Sequence, residues 1–160
     1  MDWVLIFGLL FPFLCLFAAL LCAHYENEKN KRKIRNLSQN IKGMSFEEFI
    51  EFRKTCLKKK RLSSWDFSDE FYGIYIIYNR NLNICYVGQS KNVLERIPHH
   101  FWKKGCPEIH YDFQRGHVFA IKIIPLNESG FSSLDKLERS AIMTYNSYRH
   151  GYNKTPGNRR

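Results

Sequence analysis

Residues 72–101 read YGIYIIYNRNLNICYVGQSKNVLERIPHHF, and their order of residue types predicts a β-hairpin followed by a helix. The segments 72–78 and 84–87 are rich in Ile, Val and Tyr, which favour extended strands. Residues 79–83 between them include three asparagines, which tolerate left-handed backbone in a turn. Two antiparallel strands joined by a short connection are therefore expected here.

A short amphipathic helix is expected after the hairpin. Gly88 is predicted to stop the second strand, and Ser90 can cap the helix that follows. The apolar side chains of the helix fall on one face: Val93, Leu94 and Ile97. Pro98 lacks the main-chain N–H that a helix interior needs, so it is not expected to continue the helix beyond its last turn.

Two short motifs in this stretch lie at a spacing that resembles a known family. GIY occupies residues 73–75, and YVG occupies residues 86–88. Tyr75 precedes Tyr86 by 11 residues, and Arg96 follows Tyr86 by 10 residues. This pattern resembles the signature of the GIY-YIG nucleases.

The C-terminal part of the chain agrees with that resemblance. Glu138 lies on a predicted helix and Asn153 follows it by 15 residues, which matches the metal-binding glutamate and the late asparagine of the family. The resemblance covers residues 71–157. It implies an α+β fold, a small three-stranded antiparallel sheet flanked by helices, and the third strand is predicted at residues 117–124.

The last predicted helix places a carboxylate in an apolar stripe. After a loop at 125–130, the helix is expected to start at Ser132 or Ser133 and to run to about Tyr148. At 100° per residue, Glu138 falls in the middle of a stripe of apolar side chains: Leu137, Ala141, Ile142, Tyr145 and Tyr148. A buried carboxylate needs a metal or a cationic partner such as Arg96, and both remain open at this stage.

Phosphodiester hydrolysis needs an activated water, a stabilised phosphate and a leaving oxygen. Glu138 can hold one Mg²⁺, a hard cation that prefers carboxylate ligands, and Arg96 can add charge-assisted hydrogen bonds to the phosphate. The resemblance implies that Tyr75 is the general base toward water and that Tyr86 supports it by hydrogen bonding. Because a free phenol titrates near about pH 10, this role requires positive charge from Arg96, Lys91 or the metal.

Further polar residues complete the predicted site. The resemblance implies that His100, four residues after Arg96, donates to the phosphate or relays a proton. Lys91 and His110 are predicted to bind the substrate, and Asn153 is predicted to fix its loop through its amide. Taken singly, each is also a common packing or surface residue, so the site interpretation depends on their shared order in the family pattern.

The five cysteines form no paired framework, which suits a reducing compartment. A zinc site built from Cys106, His110 and the His99–His100 pair is an alternative use of these side chains. The sequence has no C-x-x-C spacing, however, so this alternative has little support.

Residues 3–23, WVLIFGLLFPFLCLFAALLCA, carry no charge and are long enough to cross a bilayer core of about 30 Å as a helix. A cleaved signal peptide is the alternative, but no basic region precedes the apolar run. Asp2 is the only charged side chain before the run, whereas basic residues follow it. The chain is therefore predicted to be a single-pass membrane protein with its N-terminus outside and its nuclease-like domain cytoplasmic.

Most of the net charge of +10 follows the apolar run, since residues 24–61 hold twelve Lys and Arg against five Glu. Residues 24–44 are predicted to form a basic juxtamembrane linker, or an extension of the membrane helix, that is attracted to anionic lipid. Lipid explains this charge at least as well as nucleic acid does. Residues 45–61 predict an amphipathic helix that starts with a capping box of Ser45 and Glu48.

The expected function is a membrane-anchored, Mg²⁺-dependent endonuclease, with DNA as the substrate that the resemblance implies. No separate sequence-reading domain follows the nuclease-like domain, so limited specificity or a protein partner that supplies it is expected. Two alternatives stay open: a catalytically inactive GIY-YIG-like module that binds nucleic acid at the membrane, and a membrane-surface protein whose basic segment is its function.

Overall fold

The computed structural model describes residues 3–62 and 71–157. Two helices precede a β-hairpin, and two further helices lead to a third strand that is followed by two more helices. In chain order they are α1 (Trp3–Gln39), α2 (Phe46–Leu62), β1 (Gly73–Asn79), β2 (Ile84–Ser90), α3 (Val93–Phe101), α4 (Pro107–Gln114), β3 (Phe119–Pro125), α5 (Leu126–Ser129) and α6 (Leu134–Tyr145).

The three strands form one antiparallel sheet in the order β2-β1-β3, with β1 in the centre. Successive side chains of β1 point to opposite faces of the sheet. Tyr75 and Ile77 join a core with α2, α3 and α4, whereas Ile74 and Ile76 join a core with α1 and α6. The predicted three-stranded antiparallel sheet flanked by helices is confirmed.

Helix α1 continues without a break past residue 24, where the sequence predicts either a linker or an extension of the preceding helix. Its second half packs on the sheet, because Ile34 is fully buried against the core that includes α6. Lys122 of β3 donates a hydrogen bond to the main-chain oxygen of Ser38 at 2.6 Å. Met44 then pairs with Ile121 on the outer edge of β3. Residues 24–39 are therefore helical, and the chain contacts the sheet at Ile34, Ser38 and Met44.

Among the helices in the described ranges, none has the combination of length and apolarity needed to cross a membrane. The transmembrane segment predicted at residues 3–23 is therefore not supported. The side chains of residues 3–10 in that prediction lie outside what the structure describes.

Helix α2 begins at the predicted capping box. The main-chain N–H of Ser45 donates to Glu48 Oε2 at 2.7 Å, and the N–H of Glu48 donates back to Ser45 Oγ at 3.2 Å. Phe49 is fully buried in the core that contains Tyr75 and Phe101. The helix therefore packs on the sheet, a question that the sequence leaves open.

Strand β2 extends beyond Gly88 to Ser90, contrary to the expectation that Gly88 stops it. The ladder continues because Gly88 pairs with Tyr75, and Ser90 with Gly73, on β1. Asn92, rather than Ser90, caps α3, since its side chain accepts from the N–H of Glu95.

Helix α3 contains Pro98 and continues to Phe101, one turn further than a proline normally permits. Pro98 has no N–H to donate to the main-chain oxygen of Leu94, four residues earlier. Arg53 of α2 supplies the missing donor through its Nε, 2.9 Å from that oxygen. The turn that carries His100 therefore persists because a side chain from α2 satisfies the helix backbone.

In the C-terminal half, several helices and strands begin or end at other residues than the sequence predicts. Strand β3 starts two residues later than predicted, and the loop predicted at 125–130 contains the short helix α5. Helix α6 starts after Ser133, as expected, but ends at Tyr145 because Asn146 adopts left-handed backbone with φ of 53°. Tyr148 is consequently 47% exposed rather than part of the buried stripe. Helix α4 has no counterpart in the sequence prediction.

Candidate active site

Five of the predicted catalytic residues line one open cavity of about 360 Å³ between α3, α6 and the C-terminal loop. They are Tyr86, Arg96, His100, Glu138 and Asn153. The sixth, Tyr75, is 1% exposed, and its hydroxyl lies 2.8 Å from Nε2 of His100. The structure therefore brings together residues that are spread over 79 positions of the chain.

The two tyrosines meet because of the strand register. Tyr86 pairs directly with Ile77, so it lies diagonally opposite Tyr75 on the same face of the sheet. The ring centroids of Tyr75 and Tyr86 are 6.1 Å apart, and those of Tyr86 and His100 are 4.6 Å apart. Arg96 and His100 are four residues apart on α3, and they therefore project from the same helix face.

The hydrogen bonds of His100 define its tautomer. The main-chain N–H of Cys106 donates to Nδ1 of His100 at 2.9 Å, so Nδ1 must be the acceptor. The ring proton is then on Nε2, and it is donated to the oxygen of Tyr75. Burial lowers the pKa of His100 to about 3, with Arg96 and His99 adding to the effect. His100 is therefore a neutral donor to Tyr75 at neutral pH.

A glycine permits this arrangement. A Cβ atom on Gly105 would lie 2.6 Å from Nδ1 of His100 and 2.9 Å from its Cγ. Any side chain at position 105 would therefore push the histidine ring away from the N–H of Cys106.

Both tyrosines are held in their neutral form in the free protein. Burial raises the pKa of Tyr75 well above its ordinary value, and the nearby Arg96 opposes this only in part. Burial also raises the pKa of Tyr86, and Arg96 again acts in the opposite direction. A phenolate at this site therefore needs more positive charge than Arg96 provides.

Glu138 is 8% exposed on the inner face of α6, as the helical projection predicts. The side-chain amide of Gln89 donates to Glu138 Oε2 at 3.0 Å and to Asp135 Oδ1 at 2.7 Å. Gln89 thus connects the end of β2 to two carboxylates on neighbouring turns of α6.

The residues present fit a divalent cation that takes one protein carboxylate. Glu138 faces the cavity with hard oxygen donors, and Mg²⁺ commonly binds through one or two carboxylates together with waters and substrate phosphates. Within the described ranges, no cluster of three or more His, Cys, Asp or Glu side chains suits a metal ion. The alternative of a zinc site at Cys106 and His110 is therefore not supported.

Asn153 closes the outer edge of β2. Its Oδ1 accepts from the N–H of Val87 at 2.9 Å, and its Nδ2 donates to the oxygen of Val87 at 2.7 Å. The N–H of Tyr152 also donates to the oxygen of Cys85. The amide thus acts like one residue of a fourth strand and fixes the C-terminal loop beside Tyr86.

Two predicted substrate-binding residues lie outside the cavity. Lys91 lines a separate cavity with Gln89 and Asp135. Nδ1 of His110 lies 2.7 Å from the main-chain oxygen of Phe101, so this ring is engaged with the end of α3.

The sequence prediction does not assign four side chains to this site: Gln89, Glu108, Lys154 and Cys106, which it considers only as a zinc ligand. Two of these side chains directly follow motif residues, Gln89 after YVG and Lys154 after Asn153. That adjacency is a sequence signal for a place near the site. Cys106 and Glu108 enter the site through a turn and a helix that no periodic pattern indicated.

Comparison with known proteins agrees with this geometry. Residues 71–153 match the family model described as GIY-YIG catalytic domain, a span of 83 residues in a chain of 160. Searches of curated proteins and of solved structures each found no match.

Proposed function

Since the chain belongs to the family of GIY-YIG catalytic domains, which implies nuclease activity in general, we propose that it is a Mg²⁺-dependent endonuclease that cleaves DNA. The observation that carries the proposal is the hydrogen bond between buried Tyr75 and His100, which lines one cavity together with Arg96 and Glu138. A buried base, a cation and a carboxylate around one cavity are the groups that phosphodiester hydrolysis requires.

In the proposed reaction, a water molecule attacks the phosphorus atom and the 3′ oxygen departs. Tyr75 must first lose its own proton to solvent. The proton of the attacking water then passes, by way of the hydroxyl of Tyr86 at the cavity, to the phenolate of Tyr75 behind it. The Nε2–H of His100 stabilises negative charge on the oxygen of Tyr75, which offsets part of the cost of ionising a buried phenol. Tyr75 is therefore the general base, and Tyr86 and His100 orient it.

The remaining residues act on the phosphate and on the shape of the site. Arg96 donates charge-assisted hydrogen bonds to the phosphate oxygens, which gain charge in the transition state. Glu138 would hold the divalent cation, which would supply positive charge to the phosphate and to the leaving oxygen. Gln89 keeps the carboxylate of Glu138 in place, and Asn153 keeps β2 beside it.

Nicking of supercoiled plasmid by the full chain tests this proposal. We would compare the protein with Mg²⁺, the protein with chelator, and the variants Glu138→Gln and Tyr75→Phe. Glu51→Gln on α2 is the matched control, because Glu51 is an exposed glutamate that forms an ion pair with Lys54. Nicking that needs Mg²⁺ and is lost in both site variants, but not in the control, supports the proposal.

A folded protein that binds DNA but nicks neither plasmid nor branched substrates would instead indicate the inactive binding module. Cleavage of RNA but not of DNA would support nuclease activity and identify RNA as the substrate.

We also propose that the domain acts at the cytoplasmic side of a membrane and relies on a protein partner for specificity. The support is the uncharged run at residues 3–23, the basic residues after it, and exposed apolar side chains along α1 such as Phe13, Phe17 and Leu21. Anionic lipid is the proposed ligand of the basic segment. Fractionation of cells that express the full chain tests the location, and recovery in the supernatant rather than in the membrane pellet would contradict it. Alkaline carbonate extraction of the pellet then separates an inserted helix, which stays in the pellet, from binding of the basic segment to lipid, which is released.

A further inference from the structure

An ion pair of opposite charges spans the rim of the active-site cavity. Nζ of Lys154 lies 2.5 Å from Oε1 of Glu108, and both side chains line the cavity with Arg96 and Glu138. Lys154 directly follows Asn153 in the C-terminal loop, whereas Glu108 lies in the first turn of α4. The pair therefore joins two segments that approach the site from different sides.

The lysine of this pair can be released easily. The side chain of Lys154 is 73% exposed and that of Glu108 is 42% exposed. Exposed ion pairs contribute little to stability, because water screens the charges and both side chains lose freedom. A phosphate that enters the cavity can therefore take the place of the carboxylate as the partner of Lys154.

The glutamate, in contrast, is anchored at the rim. The thiol of Cys106 donates to Oε2 of Glu108 at 3.0 Å, and burial raises the pKa of that thiol to about 11, so it remains a donor. The ion pair with Lys154 and the bond from Cys106 hold the pKa of Glu108 at about 2. Glu108 is therefore negatively charged at neutral pH and cannot relieve its repulsion of a phosphate by taking up a proton.

We propose that Lys154 binds a backbone phosphate of the substrate strand, and that Glu108 competes with this phosphate for the lysine. The inference rests on the proposed nuclease function and adds a substrate-binding residue and a residue that opposes binding. A nucleic-acid strand that presents phosphates to Arg96 and Lys154 together displaces Glu108 from the lysine. A nucleic-acid strand that reaches only one of these cations does not.

Substitutions of the two residues should therefore change the affinity for nucleic acid in opposite directions. Glu108→Gln removes the competing charge and leaves Lys154 unpaired, so nucleic acid binds more tightly. Lys154→Gln removes one phosphate contact, so nucleic acid binds more weakly and with less dependence on salt. Long-range electrostatics would also change binding in opposite directions, but its effects would add in the double variant. Competition for the lysine instead predicts that Glu108→Gln gains less when Lys154 is absent.

The test is binding of a short fluorescein-labelled DNA duplex by the full chain, measured by anisotropy with chelator present to prevent cleavage. A mild nonionic detergent covers the exposed apolar surface of α1. Affinity is measured from about 50 to about 200 mM salt for the unaltered protein, Glu108→Gln, Lys154→Gln and the double variant. Glu51→Gln and Lys54→Gln are matched controls, since they break an exposed Glu–Lys pair on α2 that does not line the cavity.

We expect Glu108→Gln to bind about threefold to tenfold more tightly at the lowest salt and Lys154→Gln to bind more weakly by a similar factor. The salt slope of Lys154→Gln should fall by about 0.9, the value for one lost phosphate contact. The gain from Glu108→Gln should be smaller in the double variant, because no lysine remains to be released. The control variants should stay within about twofold of the unaltered protein.

Unchanged affinity in Glu108→Gln, or an unchanged salt slope in Lys154→Gln, overturns the inference. If the unaltered protein still nicks plasmid in that case, the proposed function stands without it. If the unaltered protein neither binds nor nicks DNA, both fail. Thermal melts of each variant exclude misfolding as the cause of a loss.

Discussion

Tyr75 and Gly88 face each other across β1 and β2, and the phenol ring of Tyr75 occupies the space above the glycine. A Cβ atom on Gly88 would lie 2.4 Å from the hydroxyl oxygen of Tyr75 and 2.5 Å from its Cζ. The absence of a side chain at position 88 is therefore what lets the Tyr75 hydroxyl reach His100. The final glycine of the YVG motif thus serves the site directly.

Gly88→Ala is accordingly expected to displace the ring of Tyr75 and to lower the nicking rate by about 100-fold, since a base misplaced by about 1 Å loses most of its effect. Single-turnover nicking by the full chain measures this. Gly43→Ala is the control, because its Cβ would make a tight contact with Ala120 at 3.3 Å that a small shift relieves, and Gly43 does not line the cavity. Normal activity in Gly88→Ala would show that the position of Tyr75 is not critical.

The nicking rate should rise with pH. The base must lose its proton to act, and burial raises the pKa of Tyr75 above the neutral range. The reactive fraction then increases about tenfold per pH unit below that pKa. We expect this slope in the rate between about pH 6 and pH 9 and a large loss of rate in Tyr75→Phe. A flat profile for the unaltered protein would argue against a phenol as the base.

Acid should destabilise the fold through His100. Its pKa is about 3 in the folded chain, below the ordinary value of 6.5, so the unfolded chain takes up the proton first. The stability that neutral His100 contributes is complete above about pH 6.5 and is lost as the pH falls toward about 3.

The unfolding free energy of the unaltered protein should fall when the pH is lowered from about 7 to about 5. In His100→Gln we expect this fall to be smaller by roughly 1 to 2 kcal/mol. This window lies above the range in which most carboxylates titrate. Urea unfolding at the two pH values measures the difference, and His150→Gln, at an exposed position, is the control. An equal pH dependence in His100→Gln and the unaltered protein would contradict the assignment.

Arg53 supports the turn of α3 that carries His100, because it donates to the oxygen that Pro98 leaves without a helical partner. Arg53→Met keeps much of the aliphatic stem and removes the donor. We expect it to lower the unfolding free energy by about 1 to 2 kcal/mol and to lower the nicking rate as well. Lys54→Met, at an exposed neighbour on α2, should change neither. If Arg53→Met is as stable and as active as the unaltered protein, α3 persists without this hydrogen bond.

Ile34 tests whether the second half of α1 belongs to the folded unit. It is fully buried against the core that includes α6, so Ile34→Ala should lower the unfolding free energy of the full chain by about 2 to 5 kcal/mol. Tyr25→Ala, at a position that is 70% exposed, should have little effect. Equal stability of the two variants would mean that α1 does not pack on the domain in solution.

The sequence by itself determined the features that depend on neighbouring residues. Two segments rich in Ile, Val and Tyr with asparagines between them predict the hairpin, and the capping box predicts the start of α2. The 3.6-residue period predicts Glu138 on the inner face of α6. The spacing of Tyr75, Tyr86 and Arg96 indicates the family, because that spacing is fixed by the hairpin and one helix. These signals are local, so one sequence is enough to detect them.

Only the tertiary structure decided which distant groups complete the site. Arg53 reaches Leu94 across 41 positions, Gln89 reaches Glu138 across 49, and Asn153 reaches Val87 across 66. Each contact joins separate parts of the chain, side chain to backbone for Arg53 and Asn153 and side chain to side chain for Gln89, so no periodic pattern predicts it. The same reason explains the misplaced end of β2 and the continuation of α3 past Pro98, where a facing strand and a side chain from α2 satisfy groups that local rules leave without partners.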